Sequence, residues 1–294
     1  MTIPDYRARL SALLLLAAVS ATGAAQTIGF DLVAASSSRM AQPHDIVLSA
    51  DGARLYVADN NNHRIVILDA QTLAEIGVFG TGEVSAPHDV VFDAQGRLLV
   101  ADTGNSRIAV YTVANDGGTL AATISGGARR PEGVDVHPDG RILATGAASG
   151  NLVAYRDGKV VAERGGFSSP HDVVVDAEGN LWVADAGNDR VVKLSPDFQP
   201  LLELSGEAYG FNGPRYLDFD ADGRLYVADK YTHTIKIIAP DGELLQVLGS
   251  GQAGQGPGLF DRPEGVEIRG RDVWFSDTYN NRIVRYRMSD QPQS

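Results

Sequence analysis

Pro43-His44-Asp45-Ile46-Val47-Leu48 opens the stretch that decides the fold. It continues through a turn at Ala50-Asp51-Gly52, a run Arg54-Leu55-Tyr56-Val57-Ala58-Asp59 and a polar loop from Asn60 to His63. Two further runs follow, Arg64-Ile65-Val66-Ile67-Leu68 and Glu75-Ile76-Gly77-Val78-Phe79, closed by Gly80. Each run is too short for a helix and too rich in β-branched residues to prefer one. The same order returns from Pro87, Pro131, Pro170, Pro214 and Pro263, about 40–50 residues apart, the period of propeller blades. Turns at Gln95-Gly96, Asp139-Gly140, Glu178-Gly179 and Asp222-Gly223 supply the positive φ that tight hairpins require. Four short antiparallel strands repeated around an axis predict an all-β, six-bladed β-propeller over residues 26–294.

Ring closure is also readable. The last repeat has only the runs Val266 to Ile268, Asp272 to Ser276 and Arg282 to Tyr286 before the polar end Gln291-Pro292-Gln293-Ser294. An unpaired run, Phe30-Asp31-Leu32-Val33-Ala34, precedes the first repeat. It is expected to pair as the outer strand of the last blade, so that the ring has no open seam.

Residues 1–25 read as a signal peptide. Arg7 and Arg9 precede an apolar run from Leu10 to Ala18, and Gly23-Ala24-Ala25 forms a small-residue cleavage site. That run is well short of the ~20 residues a bilayer needs. The implied location is secreted or periplasmic. The chain has no cysteine, so stability must come from packing and closure rather than disulfides. Its formal charge of -12 becomes about one unit more negative without Asp5, Arg7 and Arg9. Such acidity argues against nucleic acid and against anionic membranes as partners. A monomer acting on a small-molecule or peptide substrate is expected, with a protein partner as the alternative.

The recurring Val-Ala-Asp core resembles the NHL repeat. It stands as Val57-Ala58-Asp59 with Arg64-Ile65, Val100-Ala101-Asp102 with Arg107-Ile108, and Val183-Ala184-Asp185 with Arg190-Val191, and again as Ser276-Asp277 with Arg282-Ile283. Each Asp has an Arg five residues on, expected to pin a loop by a charge-assisted hydrogen bond; acidic metal ligands are the other reading. Blade three departs, with Thr145 expected at the Asp position and Asn151 at the Arg position, and blade five has Thr234 for the Arg. Those two loops read as released from the pattern and free to carry specificity.

The residue after each opening proline is His44, His88, Glu132, His171, Arg215 and Glu264 in turn. Three of the six histidines in the chain fall on this one position. Rotational repetition should gather these side chains around the axis at one mouth. Three imidazoles with carboxylates suit a divalent metal, and three His with an open position is a catalytic zinc arrangement. His44, His88, His171, Glu132 and Glu264 are therefore the candidate metal ligands. Arg215, the one cation of the ring, suits a substrate carboxylate, and Tyr216 beside it could exchange a proton. Against this, duplication copies Asp45, Asp89 and Asp172 along with the histidines, as a purely structural Pro-His-Asp start would. Adjacent strand residues point opposite ways, so either His or Asp could face the channel. His63 and His233, on loops, are expected to be solvated.

The Pro-His-Asp-Ile start at Pro43 to Ile46 resembles the propeller of the peptidyl-α-hydroxyglycine α-amidating lyases. That resemblance implies zinc on His44, His88 and His171, Arg215 as a carboxylate clamp and Tyr216 as a base. The histidines here sit in blades one, two and four rather than evenly, and Tyr231 and Tyr279 lie on loops at the same face. The function expected is a metal-dependent lyase or hydrolase for a small carboxylate-bearing substrate. Two alternatives are a non-enzymatic NHL propeller binding a protein, peptide or glycan, and a lactonase-like propeller holding calcium.

Overall fold

A computed structural model describes residues 27–37, 39–114 and 116–289. Residues 1–25, read as a signal peptide, lie outside them. The described chain forms six four-stranded antiparallel sheets. Blade one is typical: Pro43–Leu48 innermost, then Arg54–Asp59, Arg64–Asp69 and Glu75–Phe79. Five blades are built from consecutive strands. Blade six orders Val266–Arg269, Asp272–Asp277 and Arg282–Ser289 outward and finishes on the N-terminal strand Gly29–Ala35. That strand pairs antiparallel, Phe30 opposite Met288 and Ala35 opposite Val284, so the ring closes as expected. Among the described residues no helix is long and apolar enough to cross a membrane.

The core lies between blades rather than at one centre. Tyr56, Ile65 and Phe79 of blade one pack with Val90, Leu98 and Tyr111 of blade two, and Tyr226 of blade five packs with Phe275 and Tyr286 of blade six. Burying each such side chain stabilises by roughly 1.5–3 kcal/mol, and alternation along the strands gives every blade two apolar faces to offer.

The Asp–Arg pins form. Arg64 Nε lies 2.7 Å from Asp59, Arg107 2.6 Å from Asp102, Arg190 2.7 Å from Asp185 and Arg282 2.7 Å from Asp277. Each Asp also accepts a backbone N–H just before the same blade's proline, as Asp102 does from Ser85 at 2.7 Å. Two readings of the departures change. In blade three Pro131 pairs with Gly146 and Gly146 with Asn151, so Gly146, not Thr145, holds the Asp position. In blade five the pin is kept by another cation: Lys236 Nζ contacts Asp229 and donates to the Gly210 carbonyl at 2.6 Å.

A second device joins neighbouring blades. A 3₁₀ turn follows the second strand in five blades, each closed by a residue in the left-handed region: His63, Ser106, Asp189, His233 and Asn281. Each of these side chains accepts the N–H of the pre-proline residue of the next blade. The pairs are Ala86 to His63 at 2.8 Å, Arg130 to Ser106 at 3.2 Å, Gly213 to Asp189 at 2.8 Å, Arg262 to His233 at 3.1 Å and Gln42 to Asn281 at 2.8 Å. His63 and His233 are thus inter-blade acceptors, which corrects the expectation that they are merely solvated. The pre-proline residues are themselves left-handed, Gln42 at φ 50° and Ala86 at φ 45° for example, a conformation that costs energy in a non-glycine residue and that these bonds help to hold.

Candidate functional site at the channel mouth

The inner strands carry one more irregularity. In blade one the register steps between Pro43, opposite Asp59, and Ile46, opposite Val57. The same one-residue step occurs between Pro87 and Val90, Pro131 and Val134, and Pro214 and Leu217. A bulge of this kind releases two successive residues from strict alternation. It removes the choice between His and Asp, because both reach the axis.

The post-proline side chains converge. The His44 and His88 ring centroids are 4.5 Å apart, His88 and His171 5.7 Å, and His44 and His171 6.5 Å. All three are buried, as are Glu132 and Glu264. His44 Nε2 lies 3.2 Å from Glu264 Oε2, His171 Nε2 3.4 Å from the same oxygen and His88 Nε2 3.9 Å from Glu132 Oε1. His171 Nδ1 contacts Glu132 Oε2 directly.

The hydrogen bonds assign the tautomers. His44 Nδ1 donates to the Gln42 carbonyl and His88 Nδ1 to the Ala86 carbonyl, each at 2.9 Å. His171 Nδ1 instead faces both Glu132 Oε2 and Arg215 Nη1. His44 and His88 therefore turn Nε2 inward as an acceptor, and the Nε2 of His171, 3.4 Å from Glu264 Oε2, has no hydrogen-bond partner. Burial pushes the His44 imidazole below its ordinary value and takes His88 down to about 3, with neighbouring imidazoles adding to the effect. Burial alone would raise Glu132, but His171, His88 and Arg215 overcome it and bring its carboxyl to about 2. Glu264, likewise opposed by burial, is held well below the usual range by His44, His171 and Lys230. The lowered His44 and His88 imidazoles thus lie beside the lowered Glu132 and Glu264 carboxyls, an arrangement that favours a cation between them. Imidazole and carboxylate are the donor set of zinc and its neighbours, so the residue types fit a divalent ion. Among the described residues, no group of three or more His, Cys, Asp or Glu already stands in ligating geometry.

Arg215 sits at the same mouth, its Nη1 3.2 Å from His171 Nδ1 and its Nη2 3.5 Å from the Tyr231 hydroxyl. No carboxylate lies within ion-pair distance of it among the described residues, and its buried Nε lacks an acceptor. Tyr216 is placed otherwise than its expected role requires. Its hydroxyl is buried and lies 3.0 Å from the His88 carbonyl and 3.3 Å from that of Glu132. Burial, then the charge of Asp89, raises it well above its ordinary value. A phenol so committed is a poor base; it braces the two strands that present His88 and Glu132.

Two features escaped the sequence reading. Lys230 opens the 3₁₀ turn of blade five, where blades one, two and six have Asn60, Thr103 and Thr278. Those three donate to the proline carbonyl of the next blade, at 3.0, 2.5 and 2.8 Å. Lys230 instead reaches Glu264, its Nζ 2.6 Å from Oε1. Aligning the repeats would have exposed that exception. The other feature is a pair of carboxyl tiers. Asp45, Asp89 and Asp172, then Asp135, Asp218 and Glu267, line a channel cavity of about 200 Å³. Inner strands are sheet edges with free N–H groups, and the carboxyls satisfy them across each joint: Asp89 takes Val134 N–H at 2.6 Å, Asp135 Val175 at 2.8 Å, Asp172 Leu217 at 2.8 Å and Asp218 Ile268 at 2.7 Å. Of the copied aspartates, Asp89 and Asp172 thus have the structural role weighed above, while the histidines beside them do not share it.

The NHL repeat signature matches residues 40–68, 85–111 and 167–194. No curated protein matches the chain by sequence. Solved structures share the fold. Virginiamycin B lyase from Staphylococcus aureus is 14% identical over 89% of this chain and 99% of its own, with a TM-score of 0.63. An auxiliary nutrient binding protein from Bacteroides thetaiotaomicron is 12% identical over 89% and 76%, with a TM-score of 0.71. A putative 6-phosphogluconolactonase from Bacteroides uniformis is 18% identical over 82% and 79%, with a TM-score of 0.58. With three repeats matched in sequence and six blades in the ring, the chain is a six-bladed β-propeller that carries NHL repeats.

Proposed function

We propose that this chain is an exported metal-dependent lyase or hydrolase that acts on a small carboxylate-bearing substrate at the channel mouth. The observation that carries the reading is the convergence of three buried imidazoles, each with its Nε2 within 3.9 Å of one of two buried carboxylates. His44, His88 and His171 would hold the ion, with Glu132 and Glu264 beside them. A bound divalent ion would polarise a substrate carbonyl and lower the pKa of a coordinated hydroxyl or water. Glu132 contacts His171 Nδ1, and His44, His171 and Lys230 hold Glu264 below the usual carboxylate range. Arg215 offers a planar fork with no carboxylate of its own, suited to bind and orient a substrate carboxylate. Tyr231, whose hydroxyl is near Arg215 and whose ring is 48% exposed, replaces Tyr216 as the candidate for proton exchange.

The shared ring does not choose among activities, since the solved structures that share it are named a lyase, a nutrient-binding protein and a putative lactonase. A binding propeller is the second reading, favoured by the contact of Lys230 with Glu264, which already neutralises charge within the mouth. Metal analysis of the purified protein beside His44→Ala, His88→Ala and His171→Ala separates them. Stoichiometric metal, lost in the variants, is expected. Equal metal content in all four proteins would remove the proposed site, and calcium in place of zinc would favour the lactonase alternative.

A further inference from the structure

Blades five and six raise a wall at the mouth that the other blades lack. The second residue of the 3₁₀ turn is Tyr231 in blade five and Tyr279 in blade six, but Gly104 and Gly187 in blades two and four. Cations alternate with these rings. Arg215 lies 5.7 Å from the Tyr231 centroid, Lys230 5.8 Å from Tyr231 and 5.3 Å from Tyr279, and Arg262 4.4 Å from Tyr279. Lys230, at the centre, is neutralised by Glu264. The two ends are not: among the described residues neither Arg215 nor Arg262 has a carboxylate within ion-pair distance, although the chain carries a formal charge of -12. Space has been made for the wall. Gly213 is the one glycine among the six pre-proline positions, at φ +69°, and a Cβ there would come 2.7 Å from the Tyr231 ring. A structural ion pair needs none of this, and the buried Nε of Arg215 still lacks an acceptor.

We propose that the ladder Arg215–Tyr231–Lys230–Tyr279–Arg262 binds an organic dianion, one acid group on Arg215 beside the imidazoles and the second on Arg262, with the intervening carbons along the tyrosines. This rests on Arg215 as the carboxylate clamp of the preceding reading and adds the substrate class. Arg262 is a specificity residue, remote from the imidazole cluster.

The test is calorimetric titration of the purified protein with succinate, glutarate and adipate against butyrate, at constant ionic strength, before and after chelation. At least one diacid should bind ten-fold or more tightly than butyrate, the size of one charge-assisted contact. Arg262→Gln should erase that advantage and leave butyrate binding unchanged. Arg129→Gln, which removes an exposed guanidinium bonded to the Ala148 carbonyl, should preserve it. No diacid advantage, or one that survives Arg262→Gln, overturns the proposal, as does equal loss in Arg129→Gln. Metal content is read in the same samples. A diacid preference that persists after chelation, with metal content indifferent to the histidines, would keep the wall and remove the metal reading. Metal loss in the histidine variants without diacid preference would do the reverse.

Discussion

Replacing Asp135 by Asn should favour the protein's stability more in mild base than in mild acid. Asp135 lies in the channel, where burial lifts its carboxyl from 3.8 to about 7. Its Oδ2 accepts the Val175 N–H at 2.8 Å and its Oδ1 the Val136 N–H at 2.6 Å; an Asn carbonyl oxygen keeps one of these bonds, and loss of the other is an offset that does not depend on pH. The folded-state value is the higher one, so between about 4 and 7 the folded protein holds a proton that the unfolded chain has released. Stability is then complete below the unfolded value and falls as pH rises through the folded value. From pH 5.5 to 8 the linkage relation gives at most about 2 kcal/mol for this one carboxyl; its partial exposure to the channel makes that a ceiling. For a chain of this size the gap corresponds to roughly 4–8 °C. The wild type alone is a poor reporter, because His88, lowered to about 3, loses stability in the opposite direction as pH falls below 6.5. The difference between variant and wild type cancels that contribution. Thermal melts of both proteins at pH 5.5 and 8 should show Asp135→Asn gaining on the wild type between the two values, by those roughly 4–8 °C. A gap of the same size at both values would refute the reasoning, because it would then have nothing to do with ionisation.

Other outcomes follow from the same contacts. Tyr216→Phe removes a buried hydroxyl beside two carbonyls and should lower stability by about 1–3 kcal/mol in urea unfolding while metal content stays at the wild-type level; metal loss would mean the phenol does more than brace strands. Asp102→Ala strips the partners from Ser85 N–H, Asn105 and Arg107 and should cost about 3–5 kcal/mol, far more than Asp51→Ala at an exposed turn. Thr278→Val deletes the bond from blade six to the Pro43 carbonyl and should cost about 1 kcal/mol, with faster amide exchange at that joint as the local readout.

Much of the ring was readable because duplication writes one structural unit many times. The proline starts, the turn glycines and the Asp–Arg pairs each recur, and recurrence supplied the averaging that a single strand lacks. Rotational symmetry then placed His44, His88 and His171 together although 127 positions separate the first from the last. What stayed hidden depends on one-residue registers. The bulge after the opening proline of four blades leaves no mark in composition, so the orientation of His and Asp was open. The shift of the blade-three Asp position from Thr145 to Gly146 is the same kind of error. Tyr216 misled because adjacency to Arg215 is not co-orientation: the phenol turns under the cluster while the guanidinium stays at the mouth. Lys236 replaces an arginine from two residues further along its strand, a substitution that pattern matching by position cannot see.

The strand that completes blade six also sets an order of events. Five blades are assembled from neighbours in sequence and can form as soon as their own strands exist. The sixth joins Gly29–Ala35 to Arg282–Ser289, a contact between the two ends of the ring, and loops of that length are slow to close. The first strand to leave the ribosome is therefore the last to find its partner. Until then blade six presents a bare outer edge and the N-terminal run is an orphan, which makes this seam the place where folding competes with aggregation.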